Sequence, residues 1–154
     1  MDDHPKPNRR EFCAQAASFI AIGALFESCG GSPTSPSGNV PQLSTVAGTV
    51  ANNAVNVAVD SGSPLASNGS AALVTSSAGS FLVARTGDAS FNAMTSVCTH
   101  EACTVSGYQS GTFTCPCHGS QFSSSGTVVR GPATVALRKF NTAFANNVLT
   151  ISLT

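Results

Sequence analysis

Cys98-Thr99-His100 and Cys115-Pro116-Cys117-His118-Gly119-Ser120 are the two stretches that decide the fold of this 154-residue chain. Each stretch supplies one thiol and one imidazole, so together they offer two sulfur and two nitrogen ligands as two separate Cys/His pairs. Thiolate and imidazole are ligands of transition metals and iron-sulfur clusters. Two further cysteines, Cys103 and Cys117, lie close to the candidate ligands.

These stretches resemble the cluster loops of the Rieske iron-sulfur proteins of cytochrome bc and bf complexes, which read Cys-Thr-His-x-x-Cys and Cys-Pro-Cys-His-Gly-Ser. Gly131-Pro132-Ala133 matches the proline loop that covers the cluster in that family, so the resemblance spans about residues 91–153. It implies a Rieske-type [2Fe-2S] cluster, in which two Cys hold one iron and two His replace Cys on the other.

The resemblance also implies a role for each residue of the two loops. It implies four metal ligands, which are Cys98 and Cys115 on the inner iron and His100 and His118 on the outer, solvent-facing iron. It further implies a disulfide between Cys103 and Cys117 that ties the two loops together.

Zinc is the alternative occupant, because it accepts two Cys and two His tetrahedrally. Zinc sites of that composition usually bring a Cys-x-x-Cys pair and a spaced His pair, whereas each loop here contributes one Cys and one His. The extra Cys of each loop would have no function in a zinc site. A disulfide suits loops without secondary structure, since closing about 15 residues is worth roughly 3 kcal/mol in the chain-entropy model.

Three positions beside the implied ligands bear on the reduction potential, which depends on hydrogen bonds to the sulfurs, charge and exposure. Ser120 stands where a serine of high-potential relatives donates to a bridging sulfide. Phe122 stands where a tyrosine commonly donates to a ligand sulfur, so one donor is missing. We therefore predict a potential below that of relatives with Ser and Tyr, but within the Rieske range of about −150 to +300 mV. Tyr108, the single tyrosine, is interpreted as a strand packing residue.

Glu101 departs from the Leu that is common after the first ligand His in quinol-oxidising members. A carboxylate there should stabilise the oxidised cluster and protonated imidazoles, and it weakens the case for quinol docking. The alternative is a solvated loop carboxylate with little effect.

The amino terminus predicts export from a bacterial cytoplasm. Asn8-Arg9-Arg10-Glu11-Phe12 is a twin-arginine pattern, and the apolar residues 12–26 are too few for the roughly 20 that cross a bilayer. Phe26-Glu27-Ser28-Cys29 resembles a lipoprotein cleavage site with Cys29 as the lipidated residue, although simple cleavage or retention of the segment as an anchor stays open. The predicted location is the periplasmic side of the membrane.

The chain divides into a signal (residues 1–29), a flexible Gly/Ser/Pro linker (residues 30–42) and the Rieske domain (residues 43–154). From residue 43 onward, short β-prone runs alternate with turn residues, and no sustained helical period is present. This predicts an all-β fold, an antiparallel sandwich or barrel. The resemblance adds a small cluster-binding subdomain. The predicted strands cover residues 45–50, 55–59, 71–75, 81–84, 91–94, 112–114, 127–129, 137–140 and 148–153.

Charge excludes some function classes. Without residues 1–28, four basic and three acidic side chains remain, a net charge of +1. We therefore expect no nucleic-acid binding and no strong electrostatic steering of partners. Docking should depend on the surface around His100, His118 and the Gly131-Pro132 loop.

We predict one-electron transfer by an exported carrier or by the Rieske subunit of a respiratory complex of the quinol:cytochrome c reductase kind. The expected partner is a cytochrome or another exported oxidoreductase, with quinol as a further candidate. A Rieske subunit of a molybdenum oxidase such as arsenite oxidase, and a zinc-stapled structural lipoprotein, are the alternatives. A Rieske oxygenase is not expected, because it needs a second iron held by two His and a carboxylate, and the chain has only His4 besides the two implied ligands.

Overall fold

The computed structural model describes residues 39–154. The predicted signal, Cys29 and residues 30–38 of the predicted linker lie outside this range. The described residues form thirteen β-strands and no α-helix, which confirms the all-β prediction. Within that range there is accordingly no helix of the length and hydrophobicity that crossing a membrane would require.

The strands follow one another along the chain with short connections. They are β1 (Ser44–Ala47), β2 (Thr49–Ala51), β3 (Ala54–Ala58), β4 (Ala71–Ser76), β5 (Gly79–Gly87), β6 (Ser90–Thr95), β7 (Gly107–Gln109), β8 (Thr112–Thr114), β9 (Gln121–Ser123), β10 (Val128–Arg130), β11 (Lys139–Phe140), β12 (Thr142–Ala145) and β13 (Val148–Ser152).

Three sheets are formed. The base consists of a five-stranded sheet, β1-β4-β5-β6-β11, and a four-stranded sheet, β12-β13-β3-β2. The cluster sheet, β10-β9-β8-β7, is the small subdomain that the resemblance implies. Neighbouring strands pair antiparallel except β1 and β4, which are parallel.

Strand β5 is buried on both faces and belongs to two hydrophobic cores. Successive side chains of a strand point to opposite faces, so Phe81 and Val83 enter the core between the two base sheets. Leu82 and Ala84 enter a second core, beneath the cluster sheet, which also includes Phe113. The base therefore supports the cluster subdomain directly through β5.

Gly48 divides the single strand that we predict for residues 45–50. Strand β1 precedes it and joins the five-stranded sheet, while β2 follows it and joins the other base sheet. A Cβ at Gly48 would lie 2.4 Å from Val55 Cγ1. Only glycine allows so close a backbone approach, and the prediction of one continuous strand is wrong for that reason.

Strands β7, β9 and β12 were not predicted, and the predicted strand at residues 137–140 keeps only Lys139–Phe140. Leu137 is instead buried and donates its N–H to the Gly126 carbonyl at 2.9 Å. Strand β7 also holds the end of the predicted linker, because the Pro41 carbonyl accepts the Tyr108 N–H at 2.9 Å.

Candidate metal centre

The two candidate ligand loops have the same backbone hydrogen-bond pattern. In the first loop, between β6 and β7, the Cys98 N–H donates to the Cys103 carbonyl at 2.8 Å, and the Ala102 N–H donates back to the Cys98 carbonyl at 3.0 Å. The second loop, between β8 and β9, repeats both bonds at 2.8 and 3.0 Å, with Cys115, Gly119 and Ser120 in the corresponding places. Each loop therefore fixes its first cysteine by the same turn.

The fifth residue of each turn adopts a left-handed backbone. Gly119 has a φ of 73° and Ala102 a φ of 56°. Glycine adopts this conformation without steric cost, whereas a residue with a Cβ does not. The second loop thus has the favoured residue at this position and the first does not.

Cys98 and Cys115 form a buried thiol pair at the base of the two loops. Both are reduced and only 3% and 1% exposed, respectively, and both belong to the core beneath the cluster sheet. Burial raises the pKa of the Cys115 thiol, as does its contact with the Cys98 thiol. The backbone N–H groups of Cys117 and His118 act in the opposite direction, because they donate hydrogen bonds that favour a thiolate.

His100 and His118 form the second pair, on the solvent side. Their rings are in contact edge to face, with centroids 4.9 Å apart, and their side chains are 28% and 45% exposed. The structure therefore groups the four implied ligands by chemistry, with the sulfurs buried and the imidazoles open to solvent.

Glu101 lies beside both imidazoles. Its carboxylate oxygens are 4.0 Å from His100 Nε2 and 3.7 Å from His118 Nδ1, distances typical of ion pairs rather than of hydrogen bonds. The Glu101 side chain is 61% exposed. It is thus placed to act electrostatically on either ring, with an effect reduced by solvent.

A disulfide between Cys103 and Cys117 joins the two loops, with a Cα–Cα distance of 6.5 Å. This confirms the implied pairing. It links the end of the first loop to the middle of the second, so the ligands of both loops are held in one unit.

The proline loop is hydrogen bonded to both ligand loops. Ser120 is fully buried, and its Oγ accepts the Ala133 N–H at 3.0 Å, which leaves the hydroxyl proton available to a further acceptor. Thr99 Oγ1 donates to the Val135 carbonyl at 2.6 Å. The peptide bond between Gly131 and Pro132, the residues that the resemblance assigns to this loop, is cis. Sequence pattern could not predict the Thr99 and Ala133 contacts, since each joins residues that are distant along the chain.

The two aromatic residues near the loops have distinct positions. Phe122 is fully buried on β9, where it pairs with Phe113 of β8 and Val128 of β10. Tyr108 lies on β7 with its ring 4.7 Å from that of Phe113, and its hydroxyl donates to the Gly69 carbonyl at 3.1 Å. Burial raises the pKa of Tyr108. The interpretation of Tyr108 as a packing residue is confirmed.

The donor set fits a two-iron cluster with unlike ends. An iron bound by two thiolates would lie in the core, and an iron bound by two imidazoles would lie near solvent, as the Rieske ligand arrangement requires. The Cys115 thiol has the Cys98 thiol and the backbone N–H groups of Cys117 and His118 as neighbours. Both imidazoles are partly exposed to solvent.

Comparison with known proteins identifies the family to which this chain is similar. The Rieske [2Fe-2S] domain family matches residues 55–141. A cytochrome b6-f complex iron-sulfur subunit of Prochlorococcus marinus (strain MIT 9303) is 48% identical over 58 residues, which are 36% of this chain and 32% of that protein. A cytochrome b6-f complex iron-sulfur subunit 2 from the cyanelle of Cyanophora paradoxa is 56% identical over 45 residues, 29% of this chain and 19% of that protein. The match thus spans about a third or less of the length of these curated relatives.

Solved structures give a similar result. The cyanobacterial plasma membrane Rieske protein PetC3 from Synechocystis PCC 6803 has a TM-score of 0.54 and 30% sequence identity, with 64% of this chain and 98% of that chain covered. Naphthalene 1,2-dioxygenase has a TM-score of 0.56 at 19% identity, with 66% of this chain and 26% of that chain covered, so its likeness concerns the fold alone.

Proposed function

Because this chain belongs to the Rieske [2Fe-2S] domain family and its cofactor is therefore a Rieske-type [2Fe-2S] cluster, we propose that the domain carries single electrons for an exported bacterial oxidoreductase. The observation that carries the proposal is the separation of a buried thiol pair from an exposed imidazole pair on two disulfide-linked loops.

In this proposal Cys98 and Cys115 hold the inner iron, and His100 and His118 hold the outer iron. When bound, the cluster supplies one-electron oxidation and reduction at a potential above that of all-Cys clusters. The thiol pair excludes water, since both cysteines lie in the core. The imidazole edges, 28% and 45% exposed, give electrons the shorter way to the surface.

The surrounding residues tune this exchange. Ser120 holds the proline loop through Ala133 and can donate its hydroxyl proton towards the cluster. The histidine nitrogens that face solvent can take up and release a proton, which links proton transfer to electron transfer. The Glu101 carboxylate stabilises positive charge on either ring and disfavours an added electron nearby.

The proposed cellular setting is based on the amino-terminal sequence pattern. We propose export by the twin-arginine route to the periplasmic side of the membrane, with Cys29 lipidated and the predicted linker that begins at residue 30 serving as a tether. A cytochrome or another exported oxidoreductase would be the redox partner. The relatives named above are subunits of cytochrome b6-f complexes, which supports the form of the proposal in which the domain is the Rieske subunit of a larger complex. Glu101, in place of the usual Leu, weighs against quinol as a partner.

An EPR-monitored redox titration of the full-length protein, repeated across pH, tests the function. We expect a rhombic Rieske signal and a midpoint that falls as pH rises, because proton release from the histidines favours the oxidised state. Absence of this signal in a sample that contains stoichiometric zinc would contradict the proposal and support the structural zinc alternative.

A further inference from the structure

Exposed apolar side chains concentrate around the cluster site. In the described part of the chain, five large hydrophobic side chains are exposed, namely Val50, Val97, Val129, Val135 and Val148. Val97 directly precedes Cys98. Val129 and Val135 lie on either side of the proline loop and are 60% and 62% exposed. Val135 adjoins the first ligand loop directly, because its carbonyl accepts the Thr99 hydroxyl, and Val97 and Val129 lie within two residues of Cys98 and of Gly131, respectively.

The basic side chains concentrate in the same segment. Arg130, Arg138 and Lys139 are exposed, and none of them lies within ion-pair distance of a carboxylate of residues 39–154. The other arginine of residues 39–154, Arg85, lies in the base, where its guanidinium donates to four backbone carbonyls. We call residues 129–139 the basic strap.

The acidic side chains are distributed differently. Asp60 and Asp88 lie in loops of the base sheets, and Asp88 is in the β5–β6 turn, at the end of β6 away from the ligand loops. Glu101 is the single carboxylate at the cluster end of the described chain. The net charge of +1 predicted no strong steering, but three of the four cations counted in it lie in one segment that is hydrogen bonded to both ligand loops through Ala133 and Val135.

A groove places one of these cations beside the first ligand loop. The groove has a volume of about 560 Å³ and is lined by Arg138, Val97, Thr104 and Phe140 among others. The Arg138 guanidinium stacks 4.8 Å from the centre of the Phe140 ring. Val97 and Thr104 are the sequence neighbours of Cys98 and Cys103, so the positive charge of Arg138 lies along the flank of that loop.

We propose that the basic strap, together with Val97, docks a redox protein whose contact face has an apolar centre and carboxylates at its rim. The exposed valines would bury apolar area, and the cations would steer the partner's carboxylates and raise the rate of encounter. In the bound state one electron leaves the reduced domain by the imidazole side and reduces the acceptor metal by one electron, no bond forms between the two proteins, and the proton that the histidines release on oxidation goes to solvent. This inference rests on the proposed function, because it takes the histidine side to be the exit for electrons.

Small acceptors of opposite charge test the local field without a partner protein. We would measure, by stopped flow, oxidation of the reduced cluster-loaded protein by ferricyanide and by tris(phenanthroline)cobalt(III), between about 10 mM and 150 mM salt, where the screening length falls from about 30 to 8 Å. We expect ferricyanide oxidation to slow by on the order of tenfold with added salt, and cobalt oxidation to accelerate. The same salt dependence for both acceptors would overturn the proposal.

Variants locate the effect on the strap. The combined change Arg130→Gln, Arg138→Gln and Lys139→Gln should abolish the salt dependence with ferricyanide. Asp60→Asn, which alters the net charge but lies in the base, is the matched control and should leave the rates unchanged. If net charge rather than the strap controlled the rate, Asp60→Asn would speed ferricyanide oxidation, with about a third of the logarithmic change that the triple variant produces in the opposite direction.

Binding to proteins of known charge gives a readout that needs no electron transfer. Biolayer interferometry should show the cluster-loaded domain binding an immobilised acidic blue copper protein at least about tenfold more tightly than a basic cytochrome c at low salt, with the preference lost in the triple variant. Equal affinities, or a preference for the basic protein, would overturn the docking inference. Failure of the proposed function is distinct from this, since it appears as the absence of the Rieske EPR signal in the same preparation.

Discussion

Ala102→Gly should stabilise the domain, because Ala102 adopts a backbone conformation that favours glycine. Its φ is 56°, and the corresponding residue of the second ligand loop is Gly119, with a φ of 73°. Ala102 is exposed, so removal of its methyl group leaves no cavity. The two loops share the same pair of backbone hydrogen bonds, so the substitution gives the first loop the residue that the second already has.

The size of the effect follows from two opposing terms. A non-glycine residue in the left-handed region costs roughly 1–2 kcal/mol, while glycine costs about 0.5–1 kcal/mol through the greater freedom of the unfolded chain. With the middle of each range, the net gain is about 0.75 kcal/mol. For a domain of this size, 1 kcal/mol shifts Tm by about 4 °C, so we expect an increase of about 2–4 °C.

The reverse substitution, Gly119→Ala, is the matched control. A Cβ built at Gly119 has no heavy atom within 4 Å, so the change costs backbone strain without a steric clash. It should lower Tm by about the same amount. Thermal unfolding of the cluster-loaded proteins, with the EPR signal recorded to verify equal loading, measures both. If Ala102→Gly were neutral or destabilising while Gly119→Ala lowered Tm, the reasoning about the first loop would be refuted.

Four further predictions concern the potential and the packing around the loops. Phe122→Tyr should raise the midpoint potential by supplying a donor to a ligand sulfur, and an unchanged midpoint in the EPR titration would contradict this. Glu101→Gln should raise the midpoint by about 20–40 mV. An exposed charge pair is worth about 0.5–1 kcal/mol after solvent screening, and 59 mV corresponds to a tenfold change for one electron. A lowered midpoint would refute the sign assigned to the Glu101 charge. Ser120→Ala should lower both the midpoint and the free energy of unfolding, the latter by about 1–3 kcal/mol because the buried Ala133 N–H loses its acceptor; a variant with wild-type urea stability would exclude that role for the hydroxyl. Tyr108 has a raised pKa, so its stabilising contribution is complete below the unfolded pKa of about 10 and is lost as pH rises through the folded pKa. Urea unfolding at alkaline pH should show this loss of stability, and Tyr108→Phe should abolish this part of the pH dependence.

The sequence predicted those parts of the structure that depend on local pattern. Alternation in Val55-Asn56-Val57 places both valines in the base core, as a half-buried strand requires. The short Cys/His stretches identified the two loops because metal chemistry demands those residue types. The disulfide followed from the resemblance, since spacing alone does not pair cysteines.

The remainder depends on contacts between distant residues, which local pattern does not encode. Gly48 reads as part of a β-prone run, and only the position of Val55 shows that the chain must change sheets there. Strand β9 consists of Gln121–Ser123 and contains a single large apolar residue, so it forms because β8 and β10 pair with it. The left-handed Ala102 has no sequence signal, because alanine is not a residue that favours that conformation.

The two cysteine ligands lie in the core and the two histidine ligands lie near the surface. The ligand geometry and the partner-binding surface therefore depend on different residues. Cys98 and Cys115 share a core with Leu82 and Met94 of the base strands, so the thiol side is fixed by the same packing that stabilises the fold. Metal binding at such a site is coupled to folding, because the ligands are brought together only in the native state. His100 and His118 lie outside that core, beside the exposed Glu101 and the strap. Substitutions on this outer side can therefore change charge and partner preference at little cost in stability, whereas substitutions on the thiol side alter the fold and the cluster together.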